Sequence, residues 1–448
     1  MHVSWTLAIV AALAAGGCYR RHTGGERAVD AGRADAAAPI GRDGASPGGR
    51  DAAVDAEVPL PIEPVDDPGP GGRPSDDPAA QTWGDPPDLD PDDPCCEPDG
   101  APIDIPFADA PWGIPAIEWN GDGWGVLYPR EDAAFQELAR DGARVGAVRR
   151  LGPTGATGED LGFEWAGGRF FTILPTAEPG VNLVGLLDRR GVLAGRWVSR
   201  GNLVSVAFVD REARWLALRS ERGPDGLGAA VVVELDGRLE EVGSETLASG
   251  TVRHRPRPGP VVGLKSRAVA FIGGPPDEAG AHPLLVFAIG VPVPGSITTV
   301  GVISLENDAS WTRATRLRDR AVFVQGPDGD RRGAVVLVDP FEGTSELRPW
   351  PARTPSVWGT ELVWGAVGVD THDVVATCSN YTSTPDGPGH GALLRLFGAD
   401  GAPLGAPVIV AANVSGCSVG SDGGRVLVAW PRSADGVVRV QAYRLRGL

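Results

Sequence analysis

Histidine occurs only six times in this 448-residue chain, lysine once (Lys265) and methionine once. Past His2 and His22, the histidines are His254, His282, His372 and His390, and no two stand at a metal-ligand spacing such as H-E-x-x-H. No metal or cofactor is therefore expected. Positive charge is also in deficit: the formal net charge is −17. A nucleic-acid-binding protein would need a basic patch on its folded part, so that function is excluded. Long apolar runs are missing too. The one sustained run, from Trp5 to Ala15, falls short of the roughly 20 residues that a membrane-spanning helix requires.

That run has instead the length of a signal-peptide core. It leads into Ala15-Gly16-Gly17-Cys18-Tyr19-Arg20-Arg21. Small residues before a cysteine that opens a polar segment resemble the lipobox of bacterial lipoproteins. The resemblance implies that residues 1–17 are a lipoprotein signal peptide and that Cys18 is the lipidated mature N-terminus. An ordinary secretory leader is the alternative, and either one exports the chain.

The negative charge is concentrated. Between Glu57 and Asp109 there are fifteen Asp or Glu residues against the single Arg73, whereas charges before Glu57 cancel and the remainder is nearly neutral. Residues 18–110 are dense in Pro, Gly, Ala and Asp and have no run able to bury a core. They read as a disordered linker, extended in its Pro-rich acidic half. Asp88-Leu89-Asp90-Pro91-Asp92-Asp93 lacks the glycine turn and distal Glu of an EF-hand. Removing Cys18 leaves four cysteines, an even number that suits disulfides in an exported chain. Cys378 and Cys417 both lie in the body and are the expected pair. The adjacent Cys95 and Cys96 either bridge each other or tie the tail elsewhere, because their surroundings match no zinc motif.

The body, 111–448, repeats. Short apolar runs recur around positions 126, 171, 215, 269, 321, 374 and 426, at spacings of 45, 44, 54, 52, 53 and 52 residues. Several follow hairpin turns such as Asn120-Gly121-Asp122-Gly123 and Ser421-Asp422-Gly423-Gly424. A second hairpin-like unit comes after each, as in Val232-Val233-Glu234-Leu235-Asp236-Gly237-Arg238-Leu239. Two hairpins per 45 to 55 residues, seven times over, predict an all-β fold, a β-propeller with seven four-stranded blades, six or eight being the neighbouring alternatives. The one helix-like stretch, Ala133 to Arg140, occupies a strand position in the repeat and is assigned as strand. Tandem β-sandwiches would repeat at nearer 90 to 100 residues. Leader, linker and repeat body together resemble the propeller-bearing cell-envelope lipoproteins of high-GC Gram-negative, myxobacteria-like bacteria. That resemblance implies display at the envelope, lipid-anchored to the outer membrane, and no particular chemistry.

Catalytic motifs are weak. Gly416-Cys417-Ser418-Val419-Gly420 matches the G-x-S-x-G nucleophile elbow, but a turn and strand follow it where a helix is needed, and Gly44-Ala45-Ser46-Pro47-Gly48 matches equally well inside the linker. His372 and His390 flank a segment, Ser379 to Gly391, that reads as a long loop containing Asn380, Tyr381 and Asp386. Trp112, Trp119, Trp124, Trp165, Trp358 and Trp364 either form a ligand platform or fill the wedges between blades, and packing is the simpler use. The expectation is an exported, lipid-anchored binding or scaffold module without catalysis, taking a protein or glycan ligand over the central channel. The alternative is a propeller enzyme, a glycan hydrolase or lyase. It would need carboxylates or arginines converging on the channel, with Glu118, Glu164, Asp210 and Asp373 as unranked candidates.

Overall fold

The computed structural model describes residues 93–106, 114–128, 132–153, 162–175, 181–200, 202–222, 228–250, 256–274, 282–291, 297–305, 312–327, 332–350, 361–384, 387–414, 416–432 and 436–446. The predicted signal peptide, Cys18 and the linker as far as residue 92 lie outside them. Every regular element among the described residues is a β-strand.

The strands form seven antiparallel sheets, each a blade; in six of them sequence neighbours pair in order, and the seventh joins the last three strands of the chain to the first two. The innermost strands of blades 1 to 7 are Ala116–Trp119, Phe163–Ala166, Asn202–Val209, Arg257–Gly263, Thr312–Leu317, Glu361–Val369 and Ser418–Ser421. Each innermost strand contacts those of its two neighbours, and the seventh meets the first, so the blades close into a ring: a seven-bladed β-propeller, as the repeat predicts. Seven apolar clusters fill the wedges, one at each junction between consecutive blades, including the seventh with the first.

Place within a blade explains the sequence pattern. The second strand is covered by neighbouring blades on both faces. Gly123–Tyr128 is buried throughout, and Arg267–Gly273 is buried except at its first residue. These strands are the recurring apolar runs. Outermost strands such as Thr344–Pro349 face solvent and carry polar residues. The helix-like stretch is the third strand of blade 1, Asp132–Ala139, in which Ala133, Ala134, Phe135 and Leu138 are buried. Trp124, Trp215, Trp350 and Trp430 are buried in the wedges, consistent with packing as the main use of tryptophan.

Two corrections follow. The propeller starts before residue 111, inside the segment assigned to the linker. Cys96–Pro98 and Ile103–Pro106 both pair with Val437–Leu445, so the N-terminal strands complete blade 7 and close the ring. Strands of three and four residues ending in proline carry no readable periodicity; only a partner some 340 positions away makes them strands. The stretch from Ser379 to Gly391 is also not an open loop. Val374–Thr384 pairs with Gly387–Gly398 as far as Thr384 opposite Gly387, a long hairpin that places His372 and His390 far apart along the blade. Asp386 lies outside the described residues.

Polar links between turns tighten the ring. Arg189 pairs with Asp122, the Arg211 N–H donates to the Lys265 carbonyl at 2.8 Å, and Arg267 Nη1 donates to the Pro340 carbonyl at 2.6 Å. The Arg318 N–H reaches Asp370 Oδ1 at 2.8 Å, Thr371 bonds Gly423, and Arg425 Nη2 reaches the Arg140 carbonyl at 2.7 Å. The expected disulfide is present: Cys378 of blade 6 is bonded to Cys417 at the start of blade 7, with their Cα atoms 6.0 Å apart.

Candidate functional site: the central cavity

An innermost strand has no strand partner on its bore side, so its backbone N–H groups must be met by other means. Side chains from the preceding blade meet several of them. Ser418 Oγ of blade 7 accepts from the Ile117 N–H at 2.9 Å, and Ser205 Oγ of blade 3 accepts from Val261 at 3.0 Å. Thr315 Oγ1 of blade 5 accepts from the Gly368 N–H at 3.1 Å. In blade 2 the accepting group is the Glu164 carboxylate, bonded by the Phe208 N–H of blade 3. Glu164 thus occupies the position where blade 5 places the Thr315 hydroxyl: Glu164, Thr315 and Glu118 lie opposite Phe171, Val322 and Gly125, each the third residue of its blade's second strand, whereas Ser205 and Ser418 lie opposite fifth residues, Leu218 and Ala429.

The seven innermost strands enclose a cavity of about 650 Å³, within the range that holds small ligands. Glu118, Glu164 and Asp210 line it from blades 1, 2 and 3, and Arg257, Arg313 and Arg316 from blades 4 and 5. Acid and base are therefore segregated around the bore. Arg316 Nη1 donates to Asp210 Oδ2 at 2.6 Å, an ion pair that passes blade 4 and links blades 3 and 5 as a chord across the cavity. Arg313 lies over the Trp364 ring at 6.0 Å and donates through Nε to the Trp364 carbonyl at 2.9 Å.

Three of the four carboxylates proposed from sequence thus converge. The fourth, Asp373, sits in a turn of blade 6 and pairs with Arg318 at 3.1 Å, away from the cavity. Burial raises the Asp373 carboxyl against the opposing pull of Arg318 and Arg320. Within the cavity, enclosure by the ring and the nearby Asp210 charge push the Glu164 carboxyl up to about 8. The Phe208 N–H and Arg316 oppose that rise. Enclosure, then the Glu164 charge, hold Glu118 well above the usual carboxylate range. At neutral pH the bore therefore presents the Asp210–Arg316 ion pair beside the Glu164 carboxyl, which retains its proton, and the Glu118 carboxyl is raised in the same direction. A protonated carboxyl can donate a hydrogen bond to a ligand oxygen, or a proton to a leaving group.

Ser418 carries no nucleophile chemistry: it is buried, accepts a backbone bond, and starts a strand with no helix behind it. Burial lowers the pKa of His372, whose N–H donates to the Val369 carbonyl in a turn; His390 is exposed on its strand. Trp165 and Trp364 line the cavity, Trp119 packs on Trp124 at 4.8 Å, and Trp112 and Trp358 lie outside the described residues. The arginines of blades 4 and 5 were missed in the sequence.

No family description and no curated protein matches the sequence. Among solved structures, the β-propeller domain of Cps50 (Swd1) from Myceliophteria thermophila is similar at 12% identity and TM-score 0.48, over 76% of this chain and 99% of that one. The β-propeller domain of the Trilobed protease from Pyrococcus furiosus, described as having an open velcro topology, aligns at 8% identity and TM-score 0.47, over 74% and 95%. BamB from Moraxella catarrhalis aligns at 15% identity and TM-score 0.38, over 78% and 100%. At these values the architecture rests on the strand pairing described above, and the chain is a seven-bladed propeller on that ground.

Proposed function

We propose that the protein is an exported binding module, lipid-anchored through Cys18 at the outer membrane of a Gram-negative cell envelope, with the central cavity as its ligand site. The cavity carries this reading. Six charged side chains from five blades line one cavity, and Glu118, Glu164, Asp210 and Arg316 gather toward the same end of it. The leader, the acidic tether and the resemblance to propeller-bearing envelope lipoproteins support the address. The ligand class is a glycan or a protein segment, held by the Asp210–Arg316 pair, the carboxyls of Glu118 and Glu164, and the faces of Trp165 and Trp364.

A second reading, glycan hydrolysis or lysis, is favoured by the same lining, since carboxylates and arginines at the channel are what the enzyme alternative requires, and by neighbouring carboxyls, one of them protonated near neutral pH, which suit a general acid and its partner. One experiment separates the two. The purified chain is incubated with envelope-derived oligosaccharides and envelope-protein peptides, and both bound ligand and product are measured. Binding without product, weakened tenfold or more by Arg316→Ala (on the order of 1.4 kcal/mol), supports the binding module. Product formation abolished by Glu164→Gln establishes the enzyme. No binding and no product refutes the cavity as a site. Intact-mass analysis tests the anchor: a mature N-terminus at Cys18 without added lipid mass refutes it.

A further inference from the structure

The N-terminal segment that completes blade 7 is also a strap onto blade 6. Pro94 bridges Ala406 in the outermost strand of blade 6, Pro403–Ala412. The Cys95 N–H donates to the Ala406 carbonyl at 2.8 Å, and the Ala406 N–H returns a bond to the Asp93 carbonyl at 2.6 Å. One residue later the segment changes partner: Cys96 pairs with Leu445 of blade 7, and the Arg446 N–H donates to the Cys95 carbonyl at 3.1 Å. Gly405 permits the close approach. Its φ is +65°, and a Cβ there would stand 2.7 Å from the Asp93 carbonyl oxygen and 3.2 Å from Cys95 Cα.

At the crossing point the two thiols meet. Cys95 Sγ and Cys96 Sγ are 3.1 Å apart, and both residues are buried, at 0% and 2% exposure. They share one apolar cluster with Cys378 and Cys417, the pair already bonded across the same junction of blades 6 and 7. A protein that forms that bond has folded where thiols are oxidised. Besides each other, the thiols have one polar contact, a weak bond from Cys95 Sγ to the Leu394 carbonyl at 3.7 Å; the cluster around them is apolar, and no group of metal ligands occurs among the described residues.

We propose that Cys95 and Cys96 form a vicinal disulfide in the exported protein, a covalent clasp on the strap that closes the ring. The proposal rests on the export reading above. The bond forms by thiol–disulfide exchange with a disulfide-bearing oxidant, RSSR. One cysteine thiolate attacks RSSR, making a mixed disulfide and releasing RS⁻; the second thiolate then displaces the other RS⁻. Two S–H bonds are lost, one S–S bond forms, and two electrons pass to the oxidant. Once the strap is seated, contact with Cys95 and burial raise the Cys96 thiol far above its ordinary range, so exchange belongs to the stage before seating. Adjacent residues hold their Cα atoms about 3.8 Å apart, closer than the roughly 4.4–6.8 Å of ordinary disulfides. The clasp is therefore strained and reduces before Cys378–Cys417.

The test uses the full chain, exported to an oxidising compartment, unfolded in iodoacetamide without reductant and mapped by peptide mass. Expected is no alkylation at any of the four cysteines, with Cys95 and Cys96 in one peptide 2 Da lighter than the dithiol. On titration with dithiothreitol, this pair should reduce at a concentration on the order of tenfold lower than Cys378–Cys417. Cys95→Ser should leave Cys96 alkylatable and Cys378–Cys417 intact. Alkylation of both Cys95 and Cys96 with Cys378 and Cys417 protected overturns the clasp and leaves the export reading standing. Alkylation of all four overturns both. A peptide joining Cys95 or Cys96 to Cys378 or Cys417 overturns the clasp in favour of a different pairing.

Discussion

Glu164→Gln turns the geometry of the cavity into a measurable dependence of stability on pH. In the unfolded chain the Glu164 carboxyl loses its proton near 4.5, and in the folded ring it keeps the proton up to about 8. Between those values the folded state binds more protons than the unfolded one, so stability falls as pH rises through the window and is flat outside it. At about 1.4 kcal/mol per pH unit the full difference is on the order of 4–5 kcal/mol. Water in the cavity screens part of it, leaving roughly 2–4 kcal/mol. Glutamine keeps the shape and accepts the Phe208 N–H but does not titrate, and its neutrality also relieves Glu118, whose own rise depends partly on the Glu164 charge. Urea unfolding followed by tryptophan fluorescence at pH 5, 6, 7 and 8 reads the effect, since Trp124 and Trp215 are buried. The variant should gain on the wild type steadily from pH 5 to pH 8. Parallel curves, or a variant that loses ground as pH rises, would refute the argument that ring enclosure and the Asp210 charge hold the proton on Glu164.

Three further outcomes are expected. Arg395 Nη2 and Glu361 Oε1 form a buried pair at 2.7 Å with side chains 2% and 1% exposed, so Arg395→Leu alone should cost roughly 3–5 kcal/mol by leaving Glu361 uncompensated. The double change with Glu361→Leu should recover much of that loss in the same denaturation assay. Replacing Cys378 and Cys417 by serine opens a cross-link of sequence separation 39, which should lower stability by up to about 4 kcal/mol, seen as an earlier urea midpoint. Ile105 is fully buried where the N-terminal strand closes blade 7; Ile105→Ala should cost roughly 2–4 kcal/mol, and a near-neutral result would mean the N-terminal strand does not close the ring.

The repeat was legible because burial is unequal within a blade. The apolar runs near positions 126, 269 and 426 are second strands covered on both faces, a pattern that survives differences in loop length. Cys378–Cys417 was legible because both cysteines lie in the repeat body. The N-terminal strands were not legible: Ile103–Pro106 has the composition of the linker before it and gains its identity only from Val437–Leu445. The site was half legible. Glu118, Glu164 and Asp210 could be named as candidates, but nothing local distinguished them from Asp373, which ends in a turn against Arg318.

Local chemistry thus determined the placement of charge along the chain, the strand pattern and the repeat that sets the number of blades, since each depends on residues within about fifty positions of one another. Closure of the ring, the chord from Asp210 to Arg316 and the raised carboxyls of Glu118 and Glu164 were decided only by the tertiary structure. Each depends on bringing different blades to one axis, and the distances and enclosure that set their electrostatics exist only once the seven wedges have packed.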